Sequence, residues 1–435
     1  MRMSILKKGV FVLNKKIFSA VISIVLAALV LFTVGCGKDN EENTTALTTQ
    51  SENTEVLIKN GVVTGTDGWL FYNATMGDYT GEKAVSDRKA YNAAHNIALM
   101  QEFVKSKNAD FVFAAAPNKN SVYSDNMPTG IVKNRENSNI SRIFTILRNE
   151  NVNFVDLFSL FEATEELLYL KTDSHWNNKG ALLAYNAILD SVQKEHNDYS
   201  DAVVTVEARE CGDLEKAINE EAPQPEENYY FDINESYTYK NKAESVEAPL
   251  ILTENPLASG SLLMFRDSFG NSLLPFFADN FGNACFSKGV PYILEKFMKI
   301  YTPDTVVVEV AERNVTDYAV APPVFSGLQR GNISSFTEND GITGTINLKN
   351  SSNDMDFLQI YGTIYGDEKF TEVFVDVNGS VYEAFTVSDT EGDFSYLLYL
   401  PKALFTEAQA DAAVYIVSEN ETVKAVEQIL LTEDS

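Results

Sequence analysis

The chain has 435 residues, enough for two domains behind a leader, and 45% of them are hydrophobic, so a sizeable core is within reach. Its 34 basic and 62 acidic residues leave a net charge of −28, which opposes binding to a nucleic-acid backbone and, more weakly, to a strongly polyanionic polysaccharide. No basic, aromatic-laced stretch reverses that balance.

Lys7, Lys8, Lys15 and Lys16 precede an uncharged apolar run from Ile17 to Val34 that ends at Gly35-Cys36. A basic flank, an apolar stretch and a small residue before the cut describe an export signal. Thr33-Val34-Gly35-Cys36 resembles a bacterial lipobox, with Thr33 standing where Leu is usual. On that reading residues 1–36 are a lipoprotein signal, Cys36 receives the lipid, and the protein is extracytoplasmic and anchored to the bacterial cell membrane. An uncleaved membrane span is the alternative, since the run is long enough. The polar, Thr-, Asn- and Glu-rich residues 37–56 predict a disordered tether.

Ile58 to Tyr72, with turn residues at Gly65 and Asp67-Gly68, predicts an entry hairpin. Ala93, Ile97, Met100 and Val104 recur at helical spacing and predict a helix over 83–107. Ala109 to Ala116, closed by Pro117, suits a buried parallel strand. A helix near Ile140 to Asn149, a strand at Val152 to Leu157 and a helix at Asn178 to His196 follow. A more polar interval to Pro256 holds strand-like pieces at Val203 to Ala208 and Tyr229 to Ile233. Strand and helix then alternate again: Leu262–Phe265, Gly270–Asn280, Ala284–Phe286, Tyr292–Ile300 and Thr305–Val310. Such alternation implies an α/β fold, a mainly parallel sheet covered on both faces, over residues 57–320. From 321 to 435 short runs with turns, among them Asn378-Gly379, indicate a β-sandwich. Cys211 and Cys285 are the cysteines left beside Cys36, as a disulfide or as two free thiols.

Three histidines narrow the search for a base. His95 falls inside a helix and His196 at a charged helix end, whereas His175 stands in Thr172-Asp173-Ser174-His175-Trp176-Asn177 just before a helix. In extended backbone Asp173 and His175 project to one side and Ser174 to the other, so the carboxylate can orient the ring. The plainer alternative makes Asp173 or Ser174 a helix cap and His175 a surface residue. Farther on, Arg266-Asp267-Ser268-Phe269-Gly270 links an apolar strand to a helix through a tight turn. That turn would expose the Ser268 hydroxyl at a strand end, with the first helical N–H groups close to it. Here too the plainer alternative is a cap.

Together the two segments resemble the SGNH-hydrolase-like proteins of the alginate O-acetyltransferase (AlgX/AlgJ) and DHHW type, which carry Asp-x-His-Trp and Gly/Arg-Asp-Ser-Phe/Tyr motifs in this order. Gly68 to Tyr72, Pro117 to Tyr123 and Val308 to Arg313 echo the same family. The resemblance implies an SGNH-like three-layer domain with Ser268 as nucleophile, His175 as base and Asp173 as its orienter. It implies an O-acyltransferase on an exopolysaccharide or cell-wall glycan, with a membrane acyltransferase as acetyl donor. A carbohydrate acetylesterase with the same triad and a non-catalytic glycan-binding or scaffold lipoprotein are the alternatives. Ser174 departs from the family's first histidine, and Arg266 from the glycine of many SGNH enzymes. The separate Gly and Asn blocks of those enzymes are not found; the Ser268 N–H and the side chains of Asn118 and Lys119 are the expected oxyanion donors. Trp176 would supply an apolar wall. Trp69 to Tyr72 is read as core before sugar platform. Glu309 interrupts a buried strand and needs a partner, for which Arg266 and Arg313 are the candidates, as support near the site. The C-terminal sandwich is a glycan-holding or a packing module. No His, Cys and carboxylate spacing calls for a metal, and no cofactor is needed.

Overall fold

The computed structural model describes residues 45–47 (main chain only), 56–134, 138–233, 236–366, 372–388, 394–417 and 421–431. Cys36, the expected signal segment and most of the expected tether lie outside the described residues. Within that tether stretch, Thr45–Leu47 (β1) pairs antiparallel with Val56–Lys59 (β2). Val62–Thr64 (β3) and Leu70–Tyr72 (β4) extend this meander. Asn60 and Gly61 both have positive φ, which a two-residue hairpin turn of matching twist requires.

In chain order the next strands are Asp110–Ala116 (β5), Phe154–Val155 (β6), the separate hairpin Val204–Cys211 (β7) and Pro225–Phe231 (β8), Thr238–Tyr239 (β9), Leu250–Glu254 (β10), Ser259–Phe265 (β11), Phe281–Ser287 (β12) and Thr305–Ala311 (β13). The central sheet runs β6-β5-β13-β11-β12-β10-β9, parallel from β6 to β12 and antiparallel beyond. Its middle strands are apolar almost throughout because helices cover both faces. Val112, Ala114 and Met264 pack with Ala181, Ala184, Ile188 and Phe277 on one side. Phe113 and Phe265 meet Tyr318 and Phe297 on the other. The register aligns Phe265 with Val308 and Val308 with Phe113, so the carboxyl ends of β5, β13 and β11 lie side by side.

Local chemistry sets several boundaries. The helix expected from residue 83 begins at Asp87, where the Ser86 side chain accepts the Lys89 N–H. The strand expected at Val152–Leu157 shrinks to two residues, because Asn153 turns its amide to the Phe111 carbonyl and Asp156 caps the next helix. The helix expected over Gly270–Asn280 is a short 3-10 turn, Phe269–Asn271, followed by Leu274–Asn280 with proline in its first turn. Ser268 therefore sits at the start of a tight turn, without a long helix behind it.

The C-terminal strands are Leu328–Gln329 (β14), Thr337–Glu338 (β15), Thr343–Gly344 (β16), Asn347–Asn350 (β17), Phe357–Tyr365 (β18), Glu372–Val377 (β19), Ser380–Val387 (β20), Ser395–Pro401 (β21), Gln409–Val417 (β22) and Thr422–Leu431 (β23). They form one path, β15-β23-β22-β19-β20-β21-β18-β16, around a core of Ile360, Val375, Leu398 and Val414. The path curls until its ends meet: Gln428 donates to the Ile346 carbonyl at 2.9 Å. The sandwich is thus made by one curved sheet. Asn378 and Gly379, both with positive φ, close the β19–β20 hairpin as expected. The Asp87–Ser106 helix docks on this sheet through Asn92 to Ser388, Asn96 to the Thr386 carbonyl and His95 to Glu383. Cys211 and Cys285 are free thiols. Among the described residues no helix is long and apolar enough to cross a membrane.

Candidate active site

β11 ends in Arg266-Asp267-Ser268, and the turn it enters is pinned from three sides. Asp267 accepts the Phe269 N–H at 2.9 Å, and its second oxygen accepts the Ala311 N–H at 2.8 Å and the Asn314 amide at 3.2 Å. From the opposite side the Trp176 indole donates to the Phe269 carbonyl at 3.1 Å. Ser268 Oγ is left facing His175 Nε2 at 2.8 Å. His175 Nδ1 lies 2.7 Å from Asp173 Oδ1, which also accepts the His175 backbone N–H at 2.9 Å. Two segments 93 residues apart thus form one continuous relay from carboxylate through imidazole to hydroxyl.

The local backbone differs from the extended form expected. Asp173 folds over its own chain in an Asx-type turn, so the carboxylate reaches the ring from residue 173 without strand geometry. Ser174 consequently does not turn away. Its Oγ donates to Asp213 Oδ2 at 2.5 Å and lies 3.3 Å from His175 Nδ1. Asp213 Oδ1 accepts the Ser174 N–H, and the Asp213 N–H donates to Asp173 Oδ2 at 2.9 Å.

Burial disfavours charge on Asp173, but hydrogen bonding and charge from His175 prevail and hold the carboxyl down at about 2. Burial likewise disfavours the imidazolium, while the Asp173 hydrogen bond and the charges of Asp173 and Asp213 raise the His175 pKa against it. The ring is therefore a stronger base than a free histidine, which suits proton abstraction from a hydroxyl.

Ser268 and His175 open on a cavity of about 310 Å³ walled by Asn60, Tyr72, Ser174, Asp213, Leu214 and Arg313, among others. Of the aromatic stretch near the start, Trp69 and Phe71 are core, and Tyr72, 40% exposed, turns to this cavity. Asn118 is buried at the end of β5. Its Oδ1 accepts from Arg313 at 3.4 Å, while Nδ2 has no hydrogen-bond partner among the described residues. No described group accepts the Ser268 N–H either. Both are donors without a partner among the described residues.

Three expected roles are corrected. Lys119 is not an open donor: its ammonium is buried and donates to the carbonyls of Leu170, Lys171 and Asp173 at 3.0, 2.8 and 2.5 Å, which uses all three N–H bonds. Burial drags its pKa to about 7, against the pull of Asp173, Asp213 and Glu226. Trp176 is 1% exposed and stands edge-on to Phe269, so it supports the turn and lies outside the cavity wall. Glu309 is fully buried, yet among the described residues no guanidinium makes an ion pair with it. The terminal nitrogens of Arg266 donate to Asp267 O, Asn271 Oδ1 and Val246 O and its Nε–H has no partner among the described residues, while Glu309 accepts the Asp267 N–H at 3.3 Å. Burial first, and then the Asp267 charge, raise its pKa far above the carboxylate range, so Glu309 is kept as the neutral acid. Arg313 stands at the cavity, with its guanidinium over the Tyr72 and Phe269 rings.

Sequence reasoning missed Asp213, Glu226, Glu312 and Asn60. Glu312 is half-buried, accepts the Asn118 N–H and the Ser121 hydroxyl, and is pushed by desolvation to about 7. An acid beside the expected Arg313 was its available signal; Asp213 and Glu226 had none at short range. Asp173, His175 and Asp213 each offer a ligand atom within 4.8 Å of the others, a donor set that sequence spacing does not reveal. Those same atoms are already bound to one another's N–H and O–H groups.

This three-layer α/β domain, with Ser268 just beyond the end of β11 and Asp173 and His175 on an adjoining loop, has an SGNH-like fold. Residues 62–259 match the family model described as the SGNH hydrolase-like domain of acetyltransferase AlgX. That match holds Asp173 and His175 and stops short of Ser268; the chain is similar to the AlgX, AlgJ and DHHW proteins. Among solved structures it is similar to Bacillus cereus PatB1, at 20% identity over 58% of this chain and 96% of that one, with a TM-score of 0.48. A DHHW family protein from Eubacterium siraeum is 20% identical over 60% and 94% of the two chains, with a TM-score of 0.46. The O-acetyltransferase domain of Pseudomonas putida AlgJ is 18% identical over 59% and 92%, with a TM-score of 0.40. No curated protein matches the chain.

Proposed function

We propose that this protein is a cell-surface O-acetyltransferase acting on a glycan through an acyl-serine intermediate. The observation that carries the reading is the unbroken relay, 2.7 Å from Asp173 to His175 and 2.8 Å from His175 to Ser268. Ser268 Oγ attacks the carbonyl carbon of an acetyl donor as His175 Nε2 takes its proton, and Asp173 stabilises the imidazolium. The Ser268 N–H and Asn118 Nδ2 are the donors we assign to the oxyanion. Collapse expels the donor's leaving group, which takes the proton from His175. A sugar hydroxyl then gives its proton to His175, attacks the acetyl-serine and leaves as the acetylated glycan, while Ser268 regains a proton. With water as acceptor the same relay gives an acetylesterase.

The cavity supports a hydroxyl-rich acceptor, because Asn60, Asp213 and Arg313 provide polar groups beside the Tyr72 ring. In this reading Cys36 bears the lipid, and residues 37–56 tether the domain near a membrane acyltransferase, which raises the effective concentration of the acetyl donor. The C-terminal sheet serves as glycan-holding or packing module. The test is incubation with an aryl acetate, with and without neutral or acidic oligosaccharides. Acetylated sugar formed only when Ser268 and His175 are present supports transfer. Free acetate alone means hydrolysis, and turnover unchanged in Ser268→Ala refutes both.

A further inference from the structure

The loop carrying Asp173 and His175 has no regular secondary structure from Lys171 to His175, so its main-chain groups need partners from elsewhere. Those partners come from Lys119, from the Leu70 N–H of β4, which donates to the Lys171 carbonyl at 2.9 Å, and above all from residues 204–231, the stretch made of β7, the Asp213–Ile218 helix and β8. Glu226 accepts the Lys171 N–H at 2.6 Å with one oxygen, and the Thr172 N–H and hydroxyl at 2.8 and 2.6 Å with the other. Asp213 accepts the Ser174 N–H and hydroxyl, at 2.7 and 2.5 Å. The Glu215 N–H takes the Thr172 carbonyl at 3.0 Å, and Lys119 takes the carbonyls of residues 170, 171 and 173.

A steric feature points the same way. Gly212 has φ −60° and ψ 154°, which any residue adopts, so its backbone does not call for glycine. The contact does: a Cβ there would lie 2.2 Å from the Thr172 carbonyl oxygen and 2.7 Å from the Asp173 nitrogen. The 204–231 segment and the loop touch backbone to backbone. The segment is itself seated, with Leu214 packed on Val62 and Leu70, and with the Asn60 amide on the Ala217 carbonyl at 2.7 Å.

We propose that residues 204–231 form a clamp on this loop and that Asp213 and Glu226 are positioning residues, which hold Asp173 and His175 in line with Ser268. The inference rests on the reading of Ser268 as nucleophile. Asp213 has a second effect that Glu226 lacks. Its Oδ2 is 3.8 Å from His175 Nδ1, whereas Glu226 binds the loop two residues farther back. The charged groups facing the ring are Asp173 from its own loop, Asp213 from the clamp and Arg313 from the segment after β13. Asp213 raises the pKa of the ring, so removing its charge lowers it and moves the acid limb of the rate profile to lower pH.

The test is single-turnover labelling by a serine-directed fluorophosphonate on the intact protein, which reads amplitude (the competent fraction) apart from rate constant. Glu226→Gln sets an amide donor against a main-chain N–H, so it should slow labelling by about ten- to a hundredfold at unchanged amplitude, with the acid limb in place. Asp213→Asn should slow it comparably and shift the limb to lower pH. Gly212→Ala, which alters no charge, should reproduce the Glu226→Gln result. A merely structural role predicts the reverse: lower amplitude, unchanged rate constant and unmoved limbs. That result, in variants that retain the wild-type melting temperature or lose it, overturns the clamp. Wild-type protein that fails to label at Ser268, with a probe shown to be competent on a serine hydrolase, overturns the function reading and this inference with it.

Discussion

Two histidines in this molecule are held by a carboxylate, and they differ in what the second nitrogen faces. His175 has Asp173 at 2.7 Å on Nδ1 and a serine hydroxyl on Nε2, at the edge of an open cavity. His95 has Glu383 at 2.9 Å on Nε2 and Glu150 at 3.5 Å near Nδ1. It is 4% exposed, stacked on Tyr91, and wedged between the Asp87–Ser106 helix and β20. Arg330 closes that second cluster by bridging Glu383 to Glu102. The lesson is that a histidine–carboxylate contact is not itself a catalytic signature. A base needs one nitrogen aimed at a reactive proton, whereas a ring held by acids on both sides joins two parts of a fold.

The comparison breaks most readily at its larger effect. His175→Ala should lower Ser268-dependent turnover by about 10⁴-fold or more with the melting temperature nearly unchanged, and Asp173→Asn should cost about 10⁴-fold by mis-setting the tautomer. His95→Gln should do the opposite. It removes one of the two cationic partners of buried Glu383, Arg330 remaining, and should cost about 1.5–3 kcal/mol in unfolding free energy, while the folded protein turns over at the wild-type rate. Loss of turnover in folded His95→Gln, or a collapse of stability in His175→Ala, would erase the distinction.

The two sites also part in their pH dependence. Burial opposes charge on His95, yet Glu150 and Glu383 raise its pKa to about 9. A histidine whose folded pKa is raised contributes stability that is complete below its ordinary value of about 6.5 and is lost as pH rises through about 9. Chemical denaturation at pH 6 and pH 9.5 should therefore show a stability loss in the wild type that His95→Gln lacks. Turnover should run the other way, rising with pH as the His175 ring loses its proton. The smallest effect sharpens the account of buried charge. Because Glu309 is held neutral, Glu309→Gln should change stability by less than about 1 kcal/mol, since the amide oxygen still accepts the Asp267 N–H.

What was legible in the sequence was what short-range chemistry encodes. The strands β5, β11, β12 and β13, the Asn378-Gly379 hairpin and the two motifs around His175 and Ser268 are each decided within a dozen residues, whereas β9 and β10, in the polar interval, were not among the expected strands. The support of the site is decided elsewhere. Asp213 lies 39 residues from Ser174, and Glu226 lies 54 from Thr172; both fall in a polar interval whose texture alone announces only surface. Lys119 and Trp176 were assigned to the cavity because they neighbour its residues in the chain. Burial turned the first to three carbonyls and the second to the back of the serine turn. Curling of the C-terminal strands into one continuous sheet likewise depends on pairings that no local pattern specifies.

The most direct measurement is peptide mapping by mass spectrometry after brief reaction with an acetyl ester and acid quench. The account predicts one added acetyl group on the peptide containing Ser268 in the wild type, and none there in His175→Ala or Ser268→Ala. Acetyl found on another residue, or on Ser268 equally in His175→Ala, would contradict it.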